Sequence, residues 1–508
     1  MKILSARQIK QADNYTIKHE PVTAINLMER ASVAFCQELR RHIGKGTELV
    51  FYCGTGNNGG DGIAAARIMH KAGYDVKVFI VRHSDKISPE FAINEERIKK
   101  LQSVAIYDLT EKSTLRKLNK DTVIIDALLG TGLSRPLTAE SFLGKLITFL
   151  NETKNRIIAL DLPSGFFADK LTDSICIKAD LTITFTSAKL CFFLPESYPF
   201  IKDWKVVDIG SGDYFTKELD CQYNYLTLGS AATLLSNKAR TKFSHKGNFG
   251  HSLIVAGSKG KMGAAIFAAK ACVYSGSGLT TAHVPGIGLN LIQSAVPESL
   301  ASPDPDPELI SEIPGIESYD VCAIGPGIGT ASKTEAAFEQ LLESTDLESK
   351  LVIDADALNL LGENKELLEM LPPYSVLTPH PKEFSRMAGK SSNSIERLEL
   401  ALKFSRQTNS YIVLKGAHTA TVTPQGKVYF NTSGNPGLAK GGSGDVLTGI
   451  ITGLIAQGWK GEEACLLGVY LHGLAADLAV KDLGMRSLSP LQLIDYIGKA
   501  FLAVENAV

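Results

Sequence analysis

The first half of the chain alternates short apolar runs with longer stretches of helical spacing. Five apolar runs predict β-strands: ELVFYCG, DVKVFIV, TVIIDALLG, RIIALDLPSG and ADLTITF. Because amphipathic segments lie mostly between them, the pattern predicts a parallel sheet covered by helices. Two further helical segments, SARQIKQADNYTIKH and TAINLMERASVAFCQELRRHI, precede the first strand and could cover the sheet or form an oligomer contact.

The periodicity is lost in residues 209–230, where IGSGDYFTKELDCQYNYLTLGS mixes Gly, Ser, Tyr and Asp. Such a stretch is typical of a domain boundary. Beyond it, strand-like runs with Gly-rich ends resume, including HSLIVAGSKGKMGAA, DVCAIGPGIG, KLVIDADALNLL and YIVLKGAHTATV. The sequence therefore predicts two α/β domains, residues 1–215 and 231–508, joined by a linker at residues 216–230.

Composition and charge narrow the classes of function. A chain of 508 residues exceeds the size of a single hydrophobic core. The net charge of -1 provides no overall basic field, so we expect neither nucleic acid nor a membrane surface as partner. No apolar stretch approaches the ~18 residues of a membrane span, and the eight scattered cysteines form no CxxC motif. We expect a cytoplasmic protein with reduced thiols.

The stretch GTGNNGG after the first strand completes a GxGxxG dinucleotide fingerprint through Gly54, Gly56 and Gly59. Asp61 argues against a plain cofactor site, because a carboxylate at a helix start competes with a phosphate for the same amides. Asp61 could also be only a helix cap. Arg82 follows the second strand where a ribose-binding acid is usual; it could suit a 2′-phosphate or simply be solvated.

Polar side chains also follow two later strands. In an open α/β sheet the carboxyl ends of the strands form the ligand crevice, so these groups could converge there. Oxygen and amide ligands without Cys or His favour a hard, weakly held cation over zinc. The candidates are Asn57, Asn58, Asp61, Asp126, Asp161 and Ser164.

In their order and spacing, GTGNNGGDG, DALLGTG and ALDLPSG resemble the NAD(P)HX epimerase domain, which has a Rossmann-like three-layer fold. The resemblance covers roughly residues 1–215. It implies that potassium is held by Asn58, Asp126 and Ser164, and that Asp161 contacts the substrate near the reacting carbon. Asp161 is the candidate acid/base for inversion at C6. The implied substrate contacts are Asn57, Asn58, Gly59, Gly60, Asp61, Gly130, Thr131, Gly132, Leu133, Ser134, Arg135, Pro136 and Asp161.

In the second half, NPGLAKGGSGDVLTGIITGLIAQG places a Gly-rich turn and one acid at the start of an apolar helix. The amides of Gly441, Gly442, Ser443 and Gly444 can form an anion nest. Asp445 could then accept the proton of an attacking hydroxyl during phosphoryl transfer. The alternative is that Asp445 is only an N-cap. No GxxxxGK[ST] motif is present.

GGSGD, together with YIVLKGAHTATV, GPGIG, VIDADALNLL and TPHPKEF, resembles the ribokinase-like ADP/ATP-dependent NAD(P)H-hydrate dehydratases over about residues 240–460. The resemblance implies nucleotide contacts at Lys415, Gly416, Ala417, His418, Thr419 and Gly444. It places Gly263, Gly327, His380 and Asp445 at the hydrated nicotinamide. Asp354 and Asp356 could hold Mg²⁺ through water, or Asp356 could cap a helix. The HxxE pair His380 and Glu383 is better explained by substrate contact or loop structure than by a metal.

The whole chain thus resembles the bifunctional NAD(P)H-hydrate repair enzymes. The implied activities are epimerisation of R- and S-NAD(P)HX and nucleotide-dependent dehydration of the S epimer. The implied cofactors are K⁺ at the epimerase site and Mg²⁺ with ADP or ATP at the dehydratase site, and a homo-oligomer is expected. Nothing in KGAHT decides between ADP and ATP. The alternative is a ribokinase-like kinase of a vitamin precursor, with a non-catalytic N-terminal binding domain.

Overall fold

The structure is a computed structural model that describes residues 1–211, 213–238 and 240–507. The chain divides into two compact units. One comprises Lys2–Cys221, and the other comprises Met1 with Gln222–Val508. We call them the first and the second unit.

The first unit alternates strands and helices, as the apolar pattern predicts. Its helices are α1 Ala6–His19, α2 Ala24–His42, α3 Asn57–Lys71, α4 Pro89–Lys99, α5 Phe142–Glu152 and α6 Asp213–Glu218. Its strands are β1 Glu48–Cys53, β2 Asp75–Val81, β3 Ala105–Leu109, β4 Val123–Ala127, β5 Ile157–Leu160, β6 Leu181–Phe185 and β7 Trp204–Val207.

These strands form one parallel sheet of order β3-β2-β1-β4-β5-β6-β7. The predicted parallel sheet is confirmed, and its strand order is that of a Rossmann-like fold. The order reverses between β1 and β4, so the crevice beyond their carboxyl ends is the expected ligand site.

The sheet of the first unit is buried on both faces. Along β1, Leu49 and Phe51 join the hydrophobic cluster that contains α2, α3 and α4. Val50 and Tyr52 join the opposite cluster, which contains α5. Because successive strand residues point to opposite faces, a sheet covered on both sides requires an uninterrupted apolar run. The run ELVFYC has this pattern, and the unit has three layers.

The second unit is larger. Its helices are α7 Leu228–Ser236, α8 Met262–Tyr274, α9 Leu289–Ala295, α10 Ser332–Glu343, α11 Ala355–Glu363, α12 Glu366–Glu369, α13 Pro381–Ala388, α14 Ser394–Thr408, α15 Ser443–Ala456, α16 Gly461–Leu483, α17 Pro490–Asp495 and α18 Ile497–Glu505. Its strands are β8 Tyr223–Tyr225, β9 His251–Val255, β10 Leu279–Val284, β11 Leu300–Pro303, β12 Val321–Ile324, β13 Leu351–Ile353, β14 Val376–Leu377, β15 Tyr411–Leu414, β16 Ala420–Val422 and β17 Val428–Phe430.

The sheet of the second unit has the order β11-β10-β9-β12-β13-β14-β15-β16-β17-β8. The strands from β11 to β15 are parallel, and β16 pairs antiparallel with both of its neighbours. The edge strand β8 pairs with β17. Strand β8 and the start of α7 lie at residues that the sequence assigns to the linker at 216–230, so part of that stretch is built into the second unit. Strand β8 has only three residues and is flanked by polar ones, so its alternation of apolar and polar positions is too short to be recognised in the sequence.

Helix packing in the second unit depends on close backbone approach. A Cβ on Gly449 in α15 would lie 2.2 Å from the carbonyl oxygen of Ala268 in α8, so only glycine fits. Helix α16 is long and apolar enough to cross a membrane, but most of it is buried inside the unit. The expectation that no stretch approaches a membrane span is therefore wrong by length and composition, and the burial of α16 is that of a core helix.

Candidate active sites

The fingerprint glycines of the first unit allow close packing around the carboxyl end of β1. A Cβ on Gly54 would lie 2.0 Å from the carbonyl oxygen of Leu128, and one on Gly59 would lie 1.8 Å from that of Gly54. The sequence predicts a loop at Asn57–Asp61, but these residues form the first turns of α3, with Gly56 as N-cap. The glycines that suggest a loop are needed instead for contact between the helix and the sheet.

A buried polar cluster joins the ends of β1, β4 and β5. The Asp126 carboxylate accepts hydrogen bonds from the Ser164 hydroxyl at 2.6 Å and the Ser164 amide at 2.7 Å. Asn58 lies against the loop that follows β4, because a Cβ on Gly130 would be 3.1 Å from its Oδ1. Among the described residues, the buried side-chain nitrogen of Asn58 has no hydrogen-bond partner. The structure thus joins Asp126 and Ser164 directly and places Asn58 beside the loop that follows β4.

Asp161 follows β5 and adopts a left-handed backbone with φ of 65°, which is uncommon outside glycine. Its Oδ1 accepts hydrogen bonds from the Thr184 hydroxyl at 2.9 Å and the Phe185 amide at 3.2 Å. The Lys189 ammonium donates to the same oxygen at 3.0 Å. Among the described residues, no donor to Oδ2 is found. One carboxylate oxygen is therefore fixed and the other is available to a ligand.

Two further acids lie near Asp161. Burial raises the pKa of Asp61 well above its usual range, and the negative charges of Asp161 and Asp13 raise it further. Burial also raises the pKa of Asp13 on α1, although a hydrogen bond from Ser211 opposes this effect. Two acids with raised pKa values therefore lie within electrostatic range of Asp161.

The remaining predicted contacts of the first unit lie around this crevice. Residues 130–136 form a loop between β4 and α5, and most of that loop is half-buried or exposed. Arg82 is not an isolated, solvated cation. It forms ion pairs with Glu95 at 2.6 Å and with Asp108 at 2.7 Å. Because two carboxylates already hold its guanidinium, Arg82 is poorly placed to bind a 2′-phosphate.

In the second unit, Gly442 is the N-cap of α15, with φ of 92°, and Asp445 is the third residue of the helix. The alternative that Asp445 caps the helix is therefore wrong. The turn is tightly held, since a Cβ on Gly442 would lie 2.6 Å from the ring of Phe267. Burial raises the pKa of Asp445 to about 6. The negative charges of Asp354 and Asp356 also raise this pKa, while the positive charge of Lys415 lowers it.

A buried ion pair lies beside this turn. The Lys415 ammonium donates to Asp354 at 2.8 Å, and the Thr448 hydroxyl donates to the other carboxylate oxygen at 2.8 Å. A Cβ on Gly444 would be 3.4 Å from Nζ of Lys415. Although burial opposes it, the charge of Lys415 lowers the pKa of Asp354. Both oxygens of Asp354 thus have protein partners, and its suggested water-mediated contact with Mg²⁺ stays a prediction.

Asp356 has protein partners as well. Its carboxylate accepts a hydrogen bond from the amide of Gly329 at 2.8 Å and pairs with Lys261 at 3.1 Å. The suggestion that Asp356 caps α11 is not supported, because Asp354 occupies the N-cap position.

His380 and Glu383 form a reciprocal cap at the start of α13. Nδ1 of His380 accepts hydrogen bonds from the amides of Lys382 and Glu383, and Glu383 accepts one from the amide of His380. Burial and the charge of Lys415 lower the pKa of His380, so the ring is a neutral acceptor. This geometry explains the HxxE spacing without a metal. Among the described residues, no group of three or more His, Cys, Asp or Glu side chains is arranged to hold one.

The predicted contacts of the second unit share one edge of the sheet. Gly327, His380 and Lys415 follow the parallel strands β12, β14 and β15, and Gly263 begins α8, which follows β9. Lys415 to Thr419 form the turn between β15 and β16, closed by a hydrogen bond from the Thr419 hydroxyl to the carbonyl of Gly416 at 3.1 Å.

Two family models match the chain. The model for the YjeF-related protein N-terminus matches residues 24–191, and the model for NAD(P)H-hydrate dehydratase matches residues 252–499. A bifunctional NAD(P)H-hydrate repair enzyme of Moorella thermoacetica is 34% identical over 526 residues, which cover 100% of this chain and 98% of that protein. The chain belongs to the bifunctional NAD(P)H-hydrate repair enzymes.

Further members of this family match over the full length. The bifunctional NAD(P)H-hydrate repair enzyme of Thermofilum pendens is 34% identical and covers 100% of this chain and 97% of that protein. A solved ADP/ATP-dependent NAD(P)H-hydrate dehydratase from Bacillus subtilis, co-crystallized with ATP and Mg²⁺, is 30% identical. It covers 56% of this chain and 99% of that chain, with a TM-score of 0.49.

In this repair enzyme, helix α16 packs against the Gly-rich turn and contacts it through His472. His472 lies 3.2 Å from the hydroxyl and 3.0 Å from the carbonyl of Ser443. One turn and a half further along, Asp477 accepts hydrogen bonds from the amide of Gly434 and the side chain of Asn435, both at 2.8 Å. Burial lowers the pKa of His472 to about 4, so its ring stays neutral at physiological pH.

Several side chains of these sites escaped the sequence analysis. Lys189, Thr184 and Asp13 surround Asp161, and Thr448 and His472 support the second site. A usable signal exists for Lys189, because it stands between apolar residues in TFTSAKLCFF directly after a buried strand. A charged residue in such a context is rarely buried unless it is paired.

Proposed function

We propose that this chain repairs hydrated NADH and NADPH. The first unit interconverts the R and S epimers of NAD(P)HX, and the second unit dehydrates the S epimer with ADP or ATP as phosphoryl donor. The observation that carries the proposal is the arrangement of Asp445, the Gly441–Gly444 turn and Lys415 at one strand edge, in a chain of this family. These are the elements that phosphoryl transfer to a hydroxyl requires.

In the proposed dehydration, Asp445 removes the proton from the C6 hydroxyl as that oxygen attacks the terminal phosphoryl group of the nucleotide. The amides of Gly441 to Gly444 and the Lys415 ammonium stabilise the negative charge on the moving group. The C6–O bond then breaks, inorganic phosphate leaves, and loss of a proton from C5 restores the ring double bond. Phosphorylation converts hydroxide, a poor leaving group, into a good one.

The remaining contacts of the second site are those that the resemblance implies. We propose that Lys415, Gly416, Ala417, His418 and Thr419 line the nucleotide, together with the Gly-rich turn. Gly263, Gly327 and His380 face the hydrated nicotinamide. The half-exposed ring of His380, which is held by its capping bonds and has Nε2 3.2 Å from Glu383, can contact that substrate.

The dehydration should depend on pH through Asp445. This acid must be ionised to accept the hydroxyl proton, and its pKa is raised to about 6. We therefore expect kcat/KM to fall as the pH drops through 6, and to be roughly tenfold lower at pH 5 than at pH 7. Initial rates with S-NADHX and saturating nucleotide would measure the profile, with circular dichroism at pH 5 as the folding control. A flat profile between pH 5 and 7 would contradict the role of Asp445.

In the proposed epimerisation, two acids act on C6. Asp61, whose pKa is raised well above the usual range, protonates the departing hydroxyl, and N1 stabilises the resulting cation. Water then adds to the other face of C6 and gives its proton to Asp161. The raised pKa of Asp61 supports this proposal, because it keeps a proton available near Asp161.

We propose K⁺ at Asn58, Asp126 and Ser164, and Mg²⁺ with the nucleotide in the second unit. The buried, unpartnered amide of Asn58 supports the K⁺ site, because exchanging its nitrogen and oxygen in the assignment would place a carbonyl oxygen there. Burial raises the pKa of Asp126 to about 6 despite its bonds from Ser164 and Leu128, so a bound cation would offset an uncompensated charge. K⁺ would supply electrostatic orientation of the substrate at this cluster.

The eight cysteines support a cytoplasmic location, since all are buried and no disulfide joins them among the described residues. Following the resemblance, we also propose that the protein is a homo-oligomer. The hydrated cofactors and the nucleotide are its proposed small-molecule partners.

The proposed function is tested by mixing the protein with both epimers of NADHX, Mg²⁺, K⁺ and either ADP or ATP. We expect complete conversion to NADH, followed by absorbance, with one inorganic phosphate released per NADH formed. Conversion of only the S epimer would refute the epimerase activity of the first unit. Accumulation of a stable phosphorylated product would instead identify a small-molecule kinase.

A further inference from the structure

Lys189 is a fully buried charged side chain that the proposed mechanism does not use. It lies four residues beyond β6, and its side chain has no exposed surface. Its ammonium lies within hydrogen-bond distance of four oxygens: Asp161 Oδ1 at 3.0 Å, Thr184 Oγ1 at 2.7 Å, the carbonyl of Phe185 at 3.1 Å and the carbonyl of Ser187 at 3.0 Å. Burying an ammonium is costly unless its protons are satisfied and its charge is paired.

The direction of the hydrogen bonds around Thr184 is determined by this arrangement. The Thr184 hydroxyl accepts from Lys189 and therefore has its own proton for Asp161 Oδ1. Together with the Phe185 amide, three donors converge on that single oxygen. The torsion of the Asp161 carboxylate is fixed by these donors, and Oδ2 is directed away from them.

We propose that Lys189 is a positioning residue for epimerisation, which fixes the orientation of the Asp161 carboxylate and aims its second oxygen at C6. This inference rests on the proposed function of the first unit. Lys189 acts through Asp161, since its own ammonium is enclosed by protein oxygens and has no exposed surface for a ligand.

Several acids face this part of the site. Asp161 shares it with Asp13 on α1 and Asp61 on α3, and Asp169 lies within electrostatic range of Lys189. The Lys189 ammonium lies against Asp161 itself, at 3.0 Å, so the buried positive charge is paired with this acid.

The first test is Lys189→Met in the full chain, which keeps the length of the alkyl chain and removes the charge. Epimerisation of purified R-NADHX is measured without nucleotide, by separating the epimers. We expect kcat to fall by about 100-fold or more, with KM changed less than about threefold, because a misplaced base affects the reaction more than binding.

Two controls accompany Lys189→Met. Lys202→Met removes an exposed ion pair with Asp180 in the same unit and should leave epimerisation unchanged. Dehydration of S-NADHX with nucleotide reports on the second unit of the same molecule and should equal that of wild type. If wild type does not epimerise R-NADHX, the proposed function fails; if wild type does and the kcat of Lys189→Met is within threefold of it, the positioning role fails.

The second test separates charge from shape. Lys189→Ala removes the atoms of a propylammonium ion, so propylammonium added to this variant should restore at least tenfold of the lost rate, while propan-1-ol should not. Equal rescue by both compounds, or none by either in a folded variant, would overturn the inference. If neither substitution at Lys189 folds, Thr184→Val decides: it removes the hydroxyl between Lys189 and Asp161, and an unchanged kcat would refute the positioning network.

Discussion

Asp445→Asn is expected to abolish the nucleotide-dependent conversion of S-NADHX to NADH, with a loss of about 10³-fold or more. The amide has nearly the shape of the carboxylate but cannot take the proton of the C6 hydroxyl, so the oxygen remains a weak nucleophile. The environment that raises the pKa of Asp445 to about 6, burial beside Asp354 and Asp356, favours a neutral side chain, so the variant should fold at least as stably as wild type. The measurement is the rate of NADH formation with ADP and with ATP.

The matched control for this variant is Asp482→Asn, which changes an exposed acid of the second unit. It should dehydrate S-NADHX at the wild-type rate. Asp445→Asn should still convert R-NADHX to S-NADHX without nucleotide, because the first unit is unaltered. Dehydration by Asp445→Asn at a rate near that of wild type would refute the mechanism, while binding of nucleotide with unchanged affinity would assign the loss to the chemical step.

Asp161→Asn is the second substitution with a large expected effect. We expect epimerisation to fall by about 10²- to 10⁴-fold, because the amide cannot accept the proton of the water that adds to C6. With nucleotide present, the S epimer should be repaired at the normal rate while the R epimer persists beyond its slow spontaneous inversion. Separation of the two epimers over time measures this directly.

This variant also leaves the Lys189 ammonium without its carboxylate partner. Removing one member of a buried ion pair commonly costs about 3–5 kcal/mol, so the melting temperature of the first unit should fall and must be checked at the assay temperature. Asp203→Asn, at an exposed acid of the same unit, serves as the control for both activity and melting. A folded Asp161→Asn that epimerises like Asp203→Asn would exclude Asp161 as the acid/base.

The sequence predicted what depends on local periodicity. Every residue of ELVFYC after the first, and every residue of VIIDA, is buried. Such apolar runs, separated by a helical segment, made β1, β4 and their parallel pairing recognisable. The ends of strands can also be recognised from the sequence, because the last apolar residue of a strand and the polar residue that follows it are adjacent in the chain. For this reason the amino-acid pattern alone places Asp126, Asp161 and Asp445 at strand or helix ends.

What depends on distant contacts was not predictable. Asp354 is paired with Lys415, which follows a different strand, so nothing in the sequence indicated this ion pair. Gly59 and Gly60 indicated a loop, but they allow α3 to approach Gly54 and Met28. Strand β8 is too short to show a period, and its pairing with β17 joins residues far apart in the chain.

The burial of the cysteines has a practical consequence. Burial raises the pKa of Cys36, Cys176 and Cys322 to about 12, so these thiols are scarcely ionised at neutral pH. Because the thiolate is the species that reacts with peroxides and alkylating reagents, and all eight cysteines are buried, the native thiols of the folded protein should react slowly with both. A fluorophore could therefore be attached to a single cysteine introduced on the surface, without first removing the native ones.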